Sequence, residues 1–354
     1  MAIKFMLSAA VGLPIATLTL RHLMALPFGP HFDALCPGYK GTDLTGIVSI
    51  DNFLCKIVNI FTHAINDPLG NIISWLVLGL ATSVLAIWAV EGSRAKSNAL
   101  LGAVALWGMA ANVFSVSVII FAPWIPMYYF CYGDDNSNIA DYSIKSARAT
   151  AILIAILAGF VIPSMAMLLA GEPFSHTQTV VVTLWQFAPL VVAPIYLFST
   201  STFAGMEKPM ESRINYQTQQ KRRVADQKSA VETVHLVLGV MNAICYYVML
   251  FRAGGRGFLN VETFVDLWTL YRDKLTAMSI EQTGIISASH LFLVDLIICW
   301  AGCAFWSLLE SGFGGLLVLV VGSIFTGPGG GVSLYAAYRE NYVQNKDRLV
   351  VKSE

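Results

Sequence analysis

Charge is what this chain has least of. Only 12% of its 354 residues are Asp, Glu, Lys or Arg, against about 25% in a soluble globular domain. That excludes an ordinary water-facing surface. The 22 basic and 22 acidic residues cancel, so the chain lacks the basic field that nucleic-acid binding requires. Cysteine is sparse too. The six cysteines form no CxxC pair, which excludes a zinc knuckle or a thioredoxin-type motif. There is no HExxH and no P-loop. The glycines of "AGGRG" (253–257) and "GPGGG" (327–331) follow no predicted strand, so neither is a nucleotide fingerprint. No internal repeat or low-complexity segment is visible, so the inverted-repeat signature of many transporters is missing.

What is present is continuous apolarity: 56% hydrophobic residues and a mean hydropathy of +0.64. Eight runs are long enough to span a bilayer as helices, at approximately 5–26, 69–90, 99–121, 148–170, 178–199, 231–251, 287–308 and 313–337. They predict an all-α, polytopic transmembrane helix bundle forming one domain over 1–354. The first run, with Lys4, an apolar core and small residues, reads as a span or a signal peptide. It continues past Arg21 to Pro27 without a clean cleavage site, which favours a retained span. Segments 50–66 ("IDNFLCKIVNIFTHAIN") and 257–274 are amphipathic and predict interfacial or re-entrant helices. Segment 201–230, with "KRR" at 221–223, reads as a cytosolic loop near anionic lipid. With eight spans the Lys and Arg residues divide evenly between the two sides, so they set no orientation. The short 91–98 loop and the 339–354 tail favour both termini in the cytosol. Cys299 and Cys303, four apart on one helix, read as buried small hydrophobes. A Cys36–Cys131 disulfide between two loops stays open.

An ionisable group inside a span costs about 2.5–3.5 kcal/mol, so each one is a candidate for chemistry. Asp295, in "HLFLVDLIICWAGCAFW" (290–306), lies near the centre of its span. A carboxyl shielded from water keeps its proton and can act as a general acid. The plainer reading is a hydrogen bond gluing two helices together. Glu232 and His235 open another span, one turn apart on one face. A di-iron site would need a second ExxH, so no metal is predicted there. Glu91 and Glu310 fall at span ends and are expected to be solvated; Arg21 and Arg339 are expected to snorkel. Trp75, Trp88, Trp107, Trp185, Trp300 and Trp306 lie within spans, where their π faces could stabilise a cation. "APWIPMYYF" (122–130) reads as an interfacial aromatic belt. Two rival functions remain open. One is a Mg²⁺-dependent intramembrane prenyltransferase using Asp134, Asp135, Asp141 and Asp266, although their spacing departs from the usual pattern. The other is a transporter or membrane partner protein with Asp295 as its proton or substrate site.

Four stretches, in order and spacing, resemble one family: "YKGTDLTGIVSIDNFLCKIVNIF" (39–61), "LWQFAPLVVAPIYLF" (184–198), "HLFLVDLIICWAGCAFW" (290–306) and "GPGGGVSLYAAYRENY" (327–342). They are similar to the fungal integral-membrane terpene cyclases of meroterpenoid and indole-diterpene pathways, in the larger form of ascofuranone- and macrophorin-type pathways. The family's motif positions fall on Asp51, on Trp185, Gln186 and Pro189, on Asp295, and on Gly327, Pro328, Gly329, Arg339 and Glu340. The resemblance implies protonation of an often epoxidised prenyl chain on an aromatic or similar head group, followed by cyclisation through a carbocation. It implies Asp295 as the acid, with Glu232, His235, Asp51 or Gln186 orienting it or receiving a proton. Trp185, Gln186, Trp107, Tyr246, Trp300 and Arg339 are then expected around the substrate. The implied partners are a lipophilic prenylated substrate and membrane lipid, with no cofactor, in the endoplasmic reticulum. Leu293 and Val294 stand before Asp295 where a more polar, aromatic pair is expected.

Overall fold

The computed structural model describes residues 3–27, 29–36, 46–133, 139–205 and 216–345. Among them all regular structure is helical. In chain order the helices are α1 (Ile3–Met24), α2 (Gly29–Leu35), α3 (Val48–Asn66), α4 (Pro68–Gly92), α5 (Val104–Phe114), α6 (Val116–Tyr132), α7 (146–169), α8 (His176–Trp185), α9 (Ala188–Ala204), α10 (Tyr216–Gly255) and α11 (Val261–Trp268). A final run, Ile280–Val343, is broken by glycines with φ of +62° at 312 and +76° at 327. The breaks leave α12 (280–311), α13 (313–326) and α14 (328–343). Among the described residues five helices are long and apolar enough to cross a membrane, six if α8 and α9, bent by 57°, count as one span.

Two of the eight expected spans, 99–121 and 313–337, are folded back on themselves. The first is a hairpin of α5 and α6 folded at Ser115. The second is a hairpin of α13 and α14 folded at Gly327. At 1.5 Å per residue each arm is roughly 16–26 Å long, short of the bilayer's ~30 Å core. Both ends of each hairpin return to one side. Tyr132, at the end of α6, donates a hydrogen bond to the Glu91 carbonyl at 2.9 Å. The Ser311 and Tyr335 hydroxyls, at the base of the second hairpin, lie 3.2 Å apart. The folds themselves sit at mid-depth. Ser115 meets Asp295, halfway along α12. The Gly329 carbonyl accepts the Ser83 hydroxyl from the middle of α4 at 2.9 Å. Irregular backbone at such depth persists because protein surrounds it.

The amino terminus lies on the side where the hairpins enter: Lys4 stands over the Tyr129 ring at 5.7 Å, and Phe5 packs on Phe130. The opposite side carries α2, α3 and α11. There Cys36 pairs with Cys55, not with Cys131. Cys131 sits on the far side, where its thiol meets the Lys96 carbonyl at 3.4 Å. Among the described residues the basic side chains divide unevenly: Lys4, Arg94, Lys96, Lys145, Arg148, Lys221, Arg222, Arg223 and Lys228 fall on the amino-terminal side, and Arg21, Lys56, Arg252, Arg256, Arg272 and Lys274 on the disulfide side.

The charges expected in solvent are buried instead. Glu91, Glu310 and Glu340 surround the guanidiniums of Arg94 and Arg339, and every one of these side chains is at most 3% exposed. Arg339 holds Glu91 and Glu310 at 2.9 Å each and bonds the Tyr128 hydroxyl. Trp124, Tyr128 and Tyr129, expected in an interfacial belt, pack inside with Trp306. The reason is the hairpin fold, which turns the face of α6 inward. This network clamps α4, α6, α12 and α14 together at the bases of both hairpins. Removing one partner of a buried ion pair typically costs about 3–5 kcal/mol.

Candidate active site

Asp295 is 8% exposed, and what exposure it has faces a cavity of about 330 Å³. Helices α1, α3, α4, α5, α7, α8 and α12 supply the walls, together with Ser115 and Val116 at the start of α6 and Pro189 of α9. The lining is almost wholly apolar. Phe53, Phe61, Trp88, Phe114, Phe160, Trp185 and Phe292 give it an aromatic face. The Phe61 ring stands 5.0 Å from Trp185 and 4.8 Å from Phe292. Trp185 is fixed by an indole hydrogen bond to the Ser164 hydroxyl at 2.8 Å. Among the described residues Asp295 is the only carboxyl on the cavity wall, and Lys56 the only cation.

The fold of the first hairpin holds the acid. Ser115 has φ of +81°, a region that a non-glycine residue occupies only at a conformational cost. In that conformation its hydroxyl donates to Asp295 Oδ1. The Ser117 amide, in the first turn of α6, donates to the same oxygen at 2.9 Å. A helix amino terminus stabilises negative charge, so this arrangement favours a carboxylate at Asp295. Asn112, on α5, donates to the Gln186 carbonyl at 2.9 Å, tying the hairpin to the bend between α8 and α9.

Of the expected site residues, Asp295 and Trp185 line the cavity together. Gln186 lies just behind it, buried, with its backbone holding Asn112. Asp51 is buried in the first turn of α3, outside the lining. Glu232 and His235 do not meet Asp295. Glu232 pairs with Lys228 at 3.5 Å, and His235 is buried near the Arg94–Glu91 network on the amino-terminal side. They lie halfway along α10, level with the ion network rather than with Asp295. Trp107 donates to the Leu100 carbonyl at 3.0 Å and Trp300 to the Ser323 hydroxyl at 2.8 Å. Tyr246 packs against Gly327, and Arg339 belongs to the ion network. All four lie outside the cavity wall.

Asp141 and Asp266 lie at opposite ends of the bundle, each 2.8 Å from a lysine, Lys96 and Lys274. Asp134 and Asp135 fall outside the described residues.

Ser115, Ser117 and Asn112 were not singled out from the sequence. Their signal was the polar interruption "NVFSVS" (112–117) inside an apolar run. Nothing in the sequence shows that this break meets Asp295, which is 180 residues away. No curated protein and no solved structure matches the chain. The CtvD domain model matches residues 34–344, which includes every cavity wall except that from α1. The chain belongs to the CtvD domain family.

Proposed function

We propose that this protein is a membrane-bound terpene cyclase that folds a prenyl chain in the cavity and protonates its reactive end from Asp295. Membership of the CtvD domain family points to an enzyme of fungal secondary metabolism; the cyclisation is our reading. The observation that carries it is a single carboxyl on a wall that is mostly aromatic and aliphatic. In this reading Asp295 gives its proton to an epoxide oxygen. The C–O bond breaks with its electron pair going to oxygen. The π pair of the nearest alkene closes a ring, and the final cation returns a proton. One proton enters and one leaves, so the net reaction is an isomerisation. Ser115 and the Ser117 amide stabilise the transient carboxylate. The aromatic faces of Phe61, Trp185 and Phe292 stabilise the cation. The apolar wall keeps out water that would trap it early.

The membrane we infer is the endoplasmic reticulum. The side richer in Lys and Arg then faces the cytosol, and the Cys36–Cys55 disulfide faces the oxidising lumen. The test is product analysis of microsomes holding the full chain, supplied with aromatic compounds bearing epoxidised farnesyl or geranylgeranyl chains. A cyclised isomer, formed equally well with EDTA present, is the expected result. Release of diphosphate from added farnesyl or geranylgeranyl diphosphate that stops with EDTA, or no new product from any of the epoxidised compounds, would overturn the reading.

A further inference from the structure

The polar groups of the cavity stand at its two ends. Asn112, Ser115 and Asp295 gather at the hairpin tip, and Lys56 stands alone near the disulfide side. Between them runs a sleeve without charge. Phe53, Lys56, Ile57, Ile60 and Phe61 all line the cavity, and their spacing puts them on one face of α3. Phe61 touches Phe292, one helical turn from Asp295. The path from Lys56 along this face to Asp295 is roughly 15 Å, the scale of a chain of several isoprene units.

Lys56 is also held in a way that leaves it exchangeable. Its ammonium pairs with Asp33 of α2 at 2.5 Å, with the two side chains 45% and 60% exposed. Exposed pairs of this kind contribute little, so a competing anion displaces Asp33 at small cost. The Cys36–Cys55 bond ties α2 to α3 beside this pair, which keeps Asp33 and Lys56 together when the cavity is empty.

We propose that Lys56 is the head-group site: it binds an acidic oxygen of the substrate, phenol or carboxylate, in exchange for Asp33, and so directs the far end of the prenyl chain to Asp295. The proposal rests on the cyclase reading for the identity of the chain, and it makes Lys56 a specificity-determining residue. A neutral head group would leave Lys56 with Asp33 and lose the anchor that sets the chain's depth.

The experiment reads binding rather than turnover. Trp88 and Trp185 on the wall report occupancy by fluorescence quenching in the purified, detergent-solubilised full chain. The probes are compounds with hydrogenated prenyl chains, which cannot cyclise: a phenol with its methyl ether, and a carboxylic acid with its methyl ester. Wild type is expected to bind at least one acidic probe about 10-fold or more tighter than its neutral partner, and the pair that discriminates tells phenol from carboxylate. Lys56→Gln is expected to bring the ratio near one, Lys56→Arg to keep most of it, and Asp33→Asn to raise it by freeing the ammonium. No preference in wild type, or a preference that survives in Lys56→Gln, overturns the proposal. If Lys56→Gln fails to fold, an Asp33→Asn ratio at or below the wild-type value overturns it instead. Because these probes bind without reacting, a failure here is separable from a failure of cyclisation in microsomes.

Discussion

The two hairpins are alike in plan and unlike at their tips. Both enter from the amino-terminal side, both turn at mid-depth through a residue of positive φ, and both are anchored at the base by Arg339. The first turns at Ser115 and presents hydroxyl and amide donors to Asp295. The second turns at Gly327 and presents glycines to its neighbours: a Cβ at residue 329 would lie 2.8 Å from the Gly79 backbone. Tip chemistry therefore divides the labour. Donors at a strained turn build a site, and glycines at a relaxed turn build close packing. The shared base makes the two interdependent.

That comparison can be broken at the base first. Arg339→Met takes from buried Glu310 its paired cation and leaves Glu91 with Arg94 alone. Its expected cost is about 3–5 kcal/mol, seen as loss of folded protein in detergent thermal melts. The first tip comes next. Ser115→Ala should keep the fold and lower kcat about 10–100-fold, because a hydrogen bond to a charged group contributes about 1.5–3 kcal/mol. Ser115→Gly sharpens this point. It removes the same hydroxyl but suits the positive φ, so activity should fall equally while the melting temperature holds or rises. At the second tip, Gly329→Ala should cost about 1–3 kcal/mol by overpacking. Turnover per folded molecule should fall far less there than at Ser115, since no residue of the second hairpin lines the cavity. The smallest effect is expected at Trp185→Phe, which keeps an aromatic face and loses the bond to Ser164. A change in product ratio with kcat within a few-fold would fit a wall residue.

The helical, membrane-type character of the chain was legible in its apolar runs, and so was the isolation of Asp295. Half-length hairpins were not. An apolar run of 20 residues reads the same whether it crosses or folds back, and only the polar break at 112–117 and the glycines at 327–331 marked the turns. Glu91, Glu310 and Arg339 were misplaced for the same reason. A charge at a run's end looks solvated until its partners are known, and those partners lie up to 248 residues away. Disulfide pairing stayed open because sequence separation does not say which side of a bundle a loop occupies. Trp185, expected around the substrate, lines the cavity, whereas Trp107, Trp300 and Tyr246 lie outside its wall. Residue type suggested an aromatic lining, and helix rotation decided which rings supply it.

The central claim is that Asp295 is the proton donor of a cavity that cyclises a prenyl chain. Its most direct test is turnover by Asp295→Asn in microsomes, with protein level matched to wild type by immunoblot. The amide keeps the shape of the side chain but cannot serve as the acid. The account predicts that wild type converts the epoxy-prenyl substrate, and that the variant leaves it unreacted or slower by about 10²- to 10⁴-fold. Wild-type turnover in the Asn variant would contradict it.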